Sequence, residues 1–123
     1  MVECSIRESV RPELIRGKAA RLVLEPRFAT AVEHLKIGQH LLVIYHLHHS
    51  AAWQAESMPE LLTRRISNRP NPIGVTLTRV VALDGSTITV VGLDALDGSP
   101  ILDIKPYLPI WDEPPVTPQE SEP

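Results

Sequence analysis

The 123-residue chain lacks any apolar run approaching the ~18 residues that a membrane-spanning helix needs. Its opening, MVECSIRESV, places acids and arginines where a secretory leader is uninterrupted and apolar. A soluble, cytoplasmic protein with no membrane partner is expected. Cysteine is nearly missing too. Cys4 stands alone, which excludes an intrachain disulfide and a thiolate-based zinc site. There is no basic excess: a net charge of −3 argues against a surface covered in phosphate-neutralising side chains. No internal repeat or heptad occurs, which excludes solenoids and coiled coils. The length suits one domain with one core.

The charges that are present are unevenly placed. Arg7, Arg11, Arg16 and Arg21 fall in the first segment, and Arg64, Arg65 and Arg69 in the middle. Acids gather at the end, in WDEPPVTPQESEP. Removing Asp112, Glu113, Glu120 and Glu122 from the net charge of −3 leaves the remainder near +1. Residues 1–111 are therefore expected to form the domain. Residues 112–123, rich in proline and acid, are expected to be disordered or laid over the surface.

Periodicity then sets the architecture. ARLVLE (20–25) alternates as a half-buried strand does, and Pro26 ends it. In PRFATAVEHLKIG, Phe28, Ala31, Val32 and Leu35 fall at helical spacing, with proline near the start and Gly38 beyond the end. QHLLVIYHLHH (39–49) is apolar on both faces and reads as a buried strand. Residues 50–72 form a long loop with a helical turn near 59–62. Residues 74–83 and 86–93 form a hairpin turned at Asp84-Gly85, and 101–105 add a short strand. The fold class is mostly β: a small single-domain β-barrel with one short helix and one long connecting loop.

Two groups carry chemistry. His40, His46 and His48 share one strand face, with the last two ~7 Å apart along it. They read as hydrogen-bonded barrel histidines or as zinc or copper ligands. With no carboxylate or cysteine in the motif, no metal site is assigned. The second group is RPNPIG (69–74) followed by DALDGSPILDIKPYLP (94–109). Pro70 and Pro72 fix the backbone and leave the Asn71 amide outward, while Asp97-Gly98 marks a turn. Asp103 and Lys105 then point to one face of the next strand. A rigid binding wall and a proline-stiffened corner with a surface Asp–Lys pair both fit these residues.

RPNPIG, LDALDGSPILDIKPYLP and the strand QHLLVIYHLH stand in the order found in the TsaA-like family of S-adenosylmethionine-dependent tRNA methyltransferases, which the chain resembles from about Arg21 to Pro109. The resemblance implies a small β-barrel, in keeping with the lack of a GxGxxG dinucleotide signal. It also implies a homodimer with S-adenosylmethionine near the subunit interface. The implied reaction is methyl transfer to N6 of threonylcarbamoyladenosine beside a tRNA anticodon. A methyltransferase for a small acceptor and a non-catalytic cofactor-binding module are the alternatives. Residue by residue, the family's cofactor contacts fall on His48, His49, Arg65, Val75, Leu77, Asp94, Ala95, Leu96 and Asp97. Asp103 or Asp97 would accept the proton released by the amine, with Lys105 holding a carboxylate or phosphate. Arg69, Asn71 and Tyr107 are the candidate substrate contacts. The family's N-terminal proline-arginine-glutamine contact has no counterpart, SIRESVRPE keeps at best a remnant of the segment before it, and the C-terminal domain of many bacterial members has no match.

Overall fold

Alternation of apolar and polar side chains generates most of the molecule. The computed structural model describes residues 1, 3–8, 19–48, 52–66 and 68–115. Six strands appear among them: β1 (Ser5–Glu8), β2 (Ala20–Val23), β3 (His40–His46), β4 (Ile73–Asp84), β5 (Thr87–Val91) and β6 (Ile101–Pro106). They form one antiparallel sheet in the order β1-β2-β5-β4-β3-β6. The sheet curls until its ends meet. Ile6 N donates to Ser99 O (2.9 Å), Gly98 N to Ile6 O (2.7 Å) and Ile101 N to Cys4 O (3.0 Å), so β1 is stitched to the residues that enter β6. Ile6, Leu22, Leu41, Val43, Val80, Ile88, Val90 and Ile101 fill the inside, none more than 2% exposed.

The expected elements are present with altered edges. β3 is buried on one face and half-buried on the other, so its continuous apolar run reflects partial cover on the outside rather than a second core. The hairpin turns where Asp84-Gly85 requires, with Gly85 at φ +61° as the first loop residue. The expected helix divides into a 3-10 turn at Pro26–Phe28 and α1 (Ala29–Val32). Only Val32 of that segment is fully buried, with Phe28 and Leu35 packed against the core edge and Ala31 exposed. The long loop holds a 3-10 helix at Ala55–Glu60, slightly earlier than the expected turn. Two elements were not foreseen. One is β1; the other is α2 (Pro109–Asp112), where the Asp112 carboxylate accepts from Leu108 N at 2.7 Å. α2 gives the start of the acidic segment a local structure, and residues 116–123 lie outside the described residues. No described helix is long and apolar enough to cross a membrane.

Ile6 is wholly buried and belongs to the strand that shuts the barrel. Ile6→Ala should lower unfolding free energy by about 3 kcal/mol, as large-to-small core changes do. Urea denaturation with an unchanged m-value would show the loss to be one of packing.

Candidate functional site

The cleft begins with a glycine. At Gly74, the first strand residue after the RPNPI run to leave the exposed face, an added Cβ would lie 2.7 Å from Cε2 and Cζ of Tyr45 and 3.1 Å from Leu47. The missing side chain lets the Tyr45 ring pack directly against β4. There its hydroxyl shares a 3.0 Å hydrogen bond with Thr76 Oγ1. Tyr45, Leu47, Gly74 and Thr76 form the floor of a 770 Å³ cleft, within the ~300–1,000 Å³ range of small-molecule sites.

The long loop supplies the other wall, and arginines shape it. Arg69 donates to Leu61 O at 2.7 Å and to Arg64 O at 3.1 Å, folding the loop back on itself. Arg64 pairs with Glu60 at 3.4 Å, and Arg65 reaches Val75 O at 3.4 Å, tying loop to strand. Leu61, Ile66, Ile73 and Val75 give the cleft apolar surface; Arg64, Arg65, Arg69 and Asp94 give it charge. Of the positions expected to hold cofactor, Arg65, Val75 and Asp94 therefore converge here, and Arg69 joins them. Tyr45 and Leu61 were not anticipated, while Thr76 falls within the stretch Val75 to Leu77 expected to hold cofactor. Alternation places Tyr45 among the core residues of β3, and only the pairing of Tyr45 with Gly74 exposes its hydroxyl to a cleft.

The remaining positions spread outward from this centre. Register aligns Val75, Ile44 and Asp103 across three strands, and Leu77, Leu42 and Lys105 in the next row. Both rows lie on the outer face, where Val75 and Leu77 are exposed. Lys105 Nζ meets Asp103 Oδ2 at 2.8 Å, while Ile104 N donates to Asp103 Oδ1 at 2.8 Å. Asp94 to Asp97 form the approach to a turn at Gly98 (φ +86°), with Ala95 against the core and Leu96 exposed. His48 reaches the same turn: a Cβ at Gly98 would lie 3.9 Å from its Nε2. His49 lies outside the described residues. Asn71 is exposed, as its flanking prolines suggest. Tyr107 is not brought to the cleft. It sits past the opposite end of β3, donating to Glu113 at 2.9 Å and meeting the His40 ring edge-on. Among the described residues no three His, Cys, Asp or Glu side chains converge as a metal site.

This geometry can be compared with known proteins. A model of the tRNA-methyltransferase O N-terminal domain matches residues 8–113. The chain belongs to this family. Within and beside it, a probable S-adenosyl-L-methionine-binding protein of Pyrococcus abyssi is 33% identical over 94 residues, which is 71% of this chain and 51% of that protein. A tRNA (adenine(37)-N6)-methyltransferase of Mus musculus is 33% identical over 118 residues, 85% of this chain and 27% of that protein. A crystal structure of TrmO matches with a TM-score of 0.71 at 28% identity, covering 89% of this chain and 55% of that one. TrmO from Pseudomonas aeruginosa gives 0.67 at 28% identity, with the same coverage of 89% and 55%. The chain thus spans about half the length of the archaeal relative and of the TrmO chains.

The Asp103–Lys105 pair makes a pH-dependent feature of the outer face. The Lys105 hydrogen bond, joined by the Ile104 N–H, holds the Asp103 carboxyl below its ordinary value against partial desolvation; the same bond raises Lys105. Asp103 therefore contributes stability above the ordinary carboxylate range near ~4, and that contribution is lost as pH falls through its folded value. The Lys105 contribution is present below the ordinary lysine value and is lost as pH rises through the raised one. Both side chains are about half exposed, so solvent screens the effect on stability. In Lys105→Met, the Asp103 carboxyl should titrate higher by carbon-detected NMR, while the unfolding temperature scarcely moves.

Proposed function

We propose that this domain binds S-adenosylmethionine in the cleft between β4 and the 52–72 loop and transfers its methyl group to tRNA, at N6 of threonylcarbamoyladenosine beside the anticodon. The observation that carries this reading is the convergence of Arg65, Val75 and Asp94 on one cleft, since family motifs assign all three to the cofactor. The residues fit the ligand. The cofactor has an aromatic base, a ribose, a cationic sulfonium and an amino-acid end, and the cleft offers apolar walls, hydroxyls, arginine and a carboxylate. When bound, it supplies an electrophilic methyl group; this chain's part is to orient it, exclude water and accept a proton. Arg65 suits the cofactor carboxylate, Asp94 a ribose hydroxyl or the ammonium group, and the Tyr45 and Leu47 floor the base. Asp103, in the cross-strand row of Val75 and paired with Lys105, is the candidate proton acceptor. Arg64 and Arg65 are exposed on the cleft rim, where they would meet phosphate.

The outer face supports a homodimer. Ile73, Val75 and Leu77 project from β4 with 47%, 40% and 45% of their surfaces exposed, an apolar row beside the cleft and in register with Asp103 and Lys105. A second copy laid on this row would cover it and bring a neighbouring surface to the cofactor cleft. Leu77→Glu should shift the protein toward monomer in light scattering coupled to size exclusion, with unchanged circular dichroism.

The deciding experiment is calorimetric titration with S-adenosylmethionine, followed by methyl transfer to total tRNA. Arg65→Ala and Asp94→Asn are each expected to weaken cofactor binding roughly tenfold, the scale of one lost charge-assisted hydrogen bond. Transfer should fall steeply as salt rises. No binding at millimolar ligand would remove the reading. Binding without transfer to tRNA would favour the narrower role that the archaeal relative's name states.

A further inference from the structure

The structure assigns a site role to Arg7, a residue in a segment that matches no cofactor motif of the family: we infer that its guanidinium positions the 94–98 turn and His48 for the cofactor. This inference rests on the proposed cofactor site. One ion pair, the space around Gly98 and the neighbouring backbone put Arg7 there. Its Nη1 lies 3.7 Å from Asp97 Oδ2. A Cβ built on Gly98 would stand 3.8 Å from that same Nη1 and 3.9 Å from His48 Nε2, so guanidinium and imidazole flank one glycine. The backbone fixes the arrangement, because Ile6, the residue before Arg7, exchanges hydrogen bonds with Gly98 and Ser99.

Ser99 is buried, with its Oγ on Leu96 O at 2.6 Å, and Gly98 holds a positive φ, so the backbone from 96 to 99 is tightly determined. The side chains of Asp97 and Leu96 are more than half exposed, and the Asp97 carboxylate is within reach of Arg7. Arg7 supplies a planar donor from a neighbouring strand, which restricts the Asp97 carboxylate and places a fixed positive charge beside His48. Asp94, on the same turn, lines the cleft, and so does Leu47, next to His48. Arg7 is thus a positioning residue that acts through Asp97 and His48.

The pair is about half exposed, so its loss should barely alter stability. That separates positioning from folding. In the full chain, Arg7→Gln should weaken S-adenosylmethionine binding about tenfold by calorimetry, with the unfolding temperature unchanged. Arg7→Lys should recover most of the affinity by keeping the charge. Asp97→Asn should lose at least as much, and the loss in Arg7→Gln combined with Asp97→Asn should be smaller than the sum of the two single losses, because both break the Arg7–Asp97 contact. If Arg7→Gln binds like the parent while Asp97→Asn is impaired, the inference fails and the cofactor site stands. If Arg7→Gln, Asp97→Asn, Arg65→Ala and Asp94→Asn all bind like the parent, the site itself is misplaced and the inference falls with it. A loss at Arg7→Gln matched by a large drop in unfolding temperature would also overturn it, by showing a folding role.

Discussion

The hydrogen bonds that Ile6 exchanges with Gly98 and Ser99 are the constraint on which the rest depends. An open antiparallel sheet of this curvature would leave the backbone groups of β1 and of residues 98–101 without partners beside a packed interior, at a cost too large to leave unmade. Stitching those ends together allows Cys4, Ile6 and Ile101 to be buried on the inside. It also fixes where the turn before β6 must lie. Gly98 adopts its left-handed conformation at the seam, and Asp94 is carried to the cleft by a segment whose far end is already anchored. Closure of the core and placement of the acidic turn are a single event in this fold.

On that closed scaffold the two faces of β3 and β4 divide the work. Inward residues Leu41, Val43, Thr78 and Val80 make the core, and even the Thr78 hydroxyl is satisfied there, on Leu41 O at 3.0 Å. Where the strands leave the core, the inward face turns from packing surface into cleft floor at Tyr45 and Gly74. The loop that covers this floor is held by polar contacts: Arg69 on two carbonyls, Arg65 on one, Arg64 on Glu60. Among the described residues, two of its buried atoms, Trp53 Nε1 and Asn68 Oδ1, find no hydrogen-bond partner. Unsatisfied buried groups weaken the packed loop relative to the barrel beneath it. A rigid floor under a less stable wall suits a site that must admit a ligand and then exclude water.

Much of this was legible in the sequence, for local reasons. Asp84-Gly85 fixes a hairpin by its own backbone preference, and alternation through β4 and β5 fixes which side chains enter the core. The same parity rule shows that Val75 and Leu77 share a face, and likewise Asp103 and Lys105. Sequence order cannot say that those two pairs share the same two cross-strand rows, because that depends on β3 lying between β4 and β6. β1 was not legible. Four residues, SIRE, contain one apolar side chain, and they become a strand only because β2 and residues 98–101 offer them partners. Arg7 was hidden for the same reason, since nothing near it in the chain hints at Asp97. The cleft lay between these extremes. RPNPIG marked its position, but the reason for the glycine appears only when Tyr45 is found against it.

Charge shows most clearly why a whole-chain quantity misleads about a site. A net value of −3 speaks against phosphate binding only if charge is spread evenly, and here it is not. The barrel gathers Arg64, Arg65 and Arg69 along one cleft, where Arg64 is paired with Glu60 and Asp94 supplies a further carboxylate, while Asp112 and Glu113 are occupied locally by Leu108 N and the Tyr107 hydroxyl. Beyond roughly a Debye length, ~8 Å at physiological salt, exposed acids elsewhere contribute little to the potential at that rim. The rim arginines are also partly engaged with backbone carbonyls, which are neutral partners. A guanidinium that donates to a carbonyl keeps its full charge, whereas one paired with a carboxylate is locally neutralised. Arg65 and Arg69 therefore build the loop and still present positive charge to whatever enters the cleft.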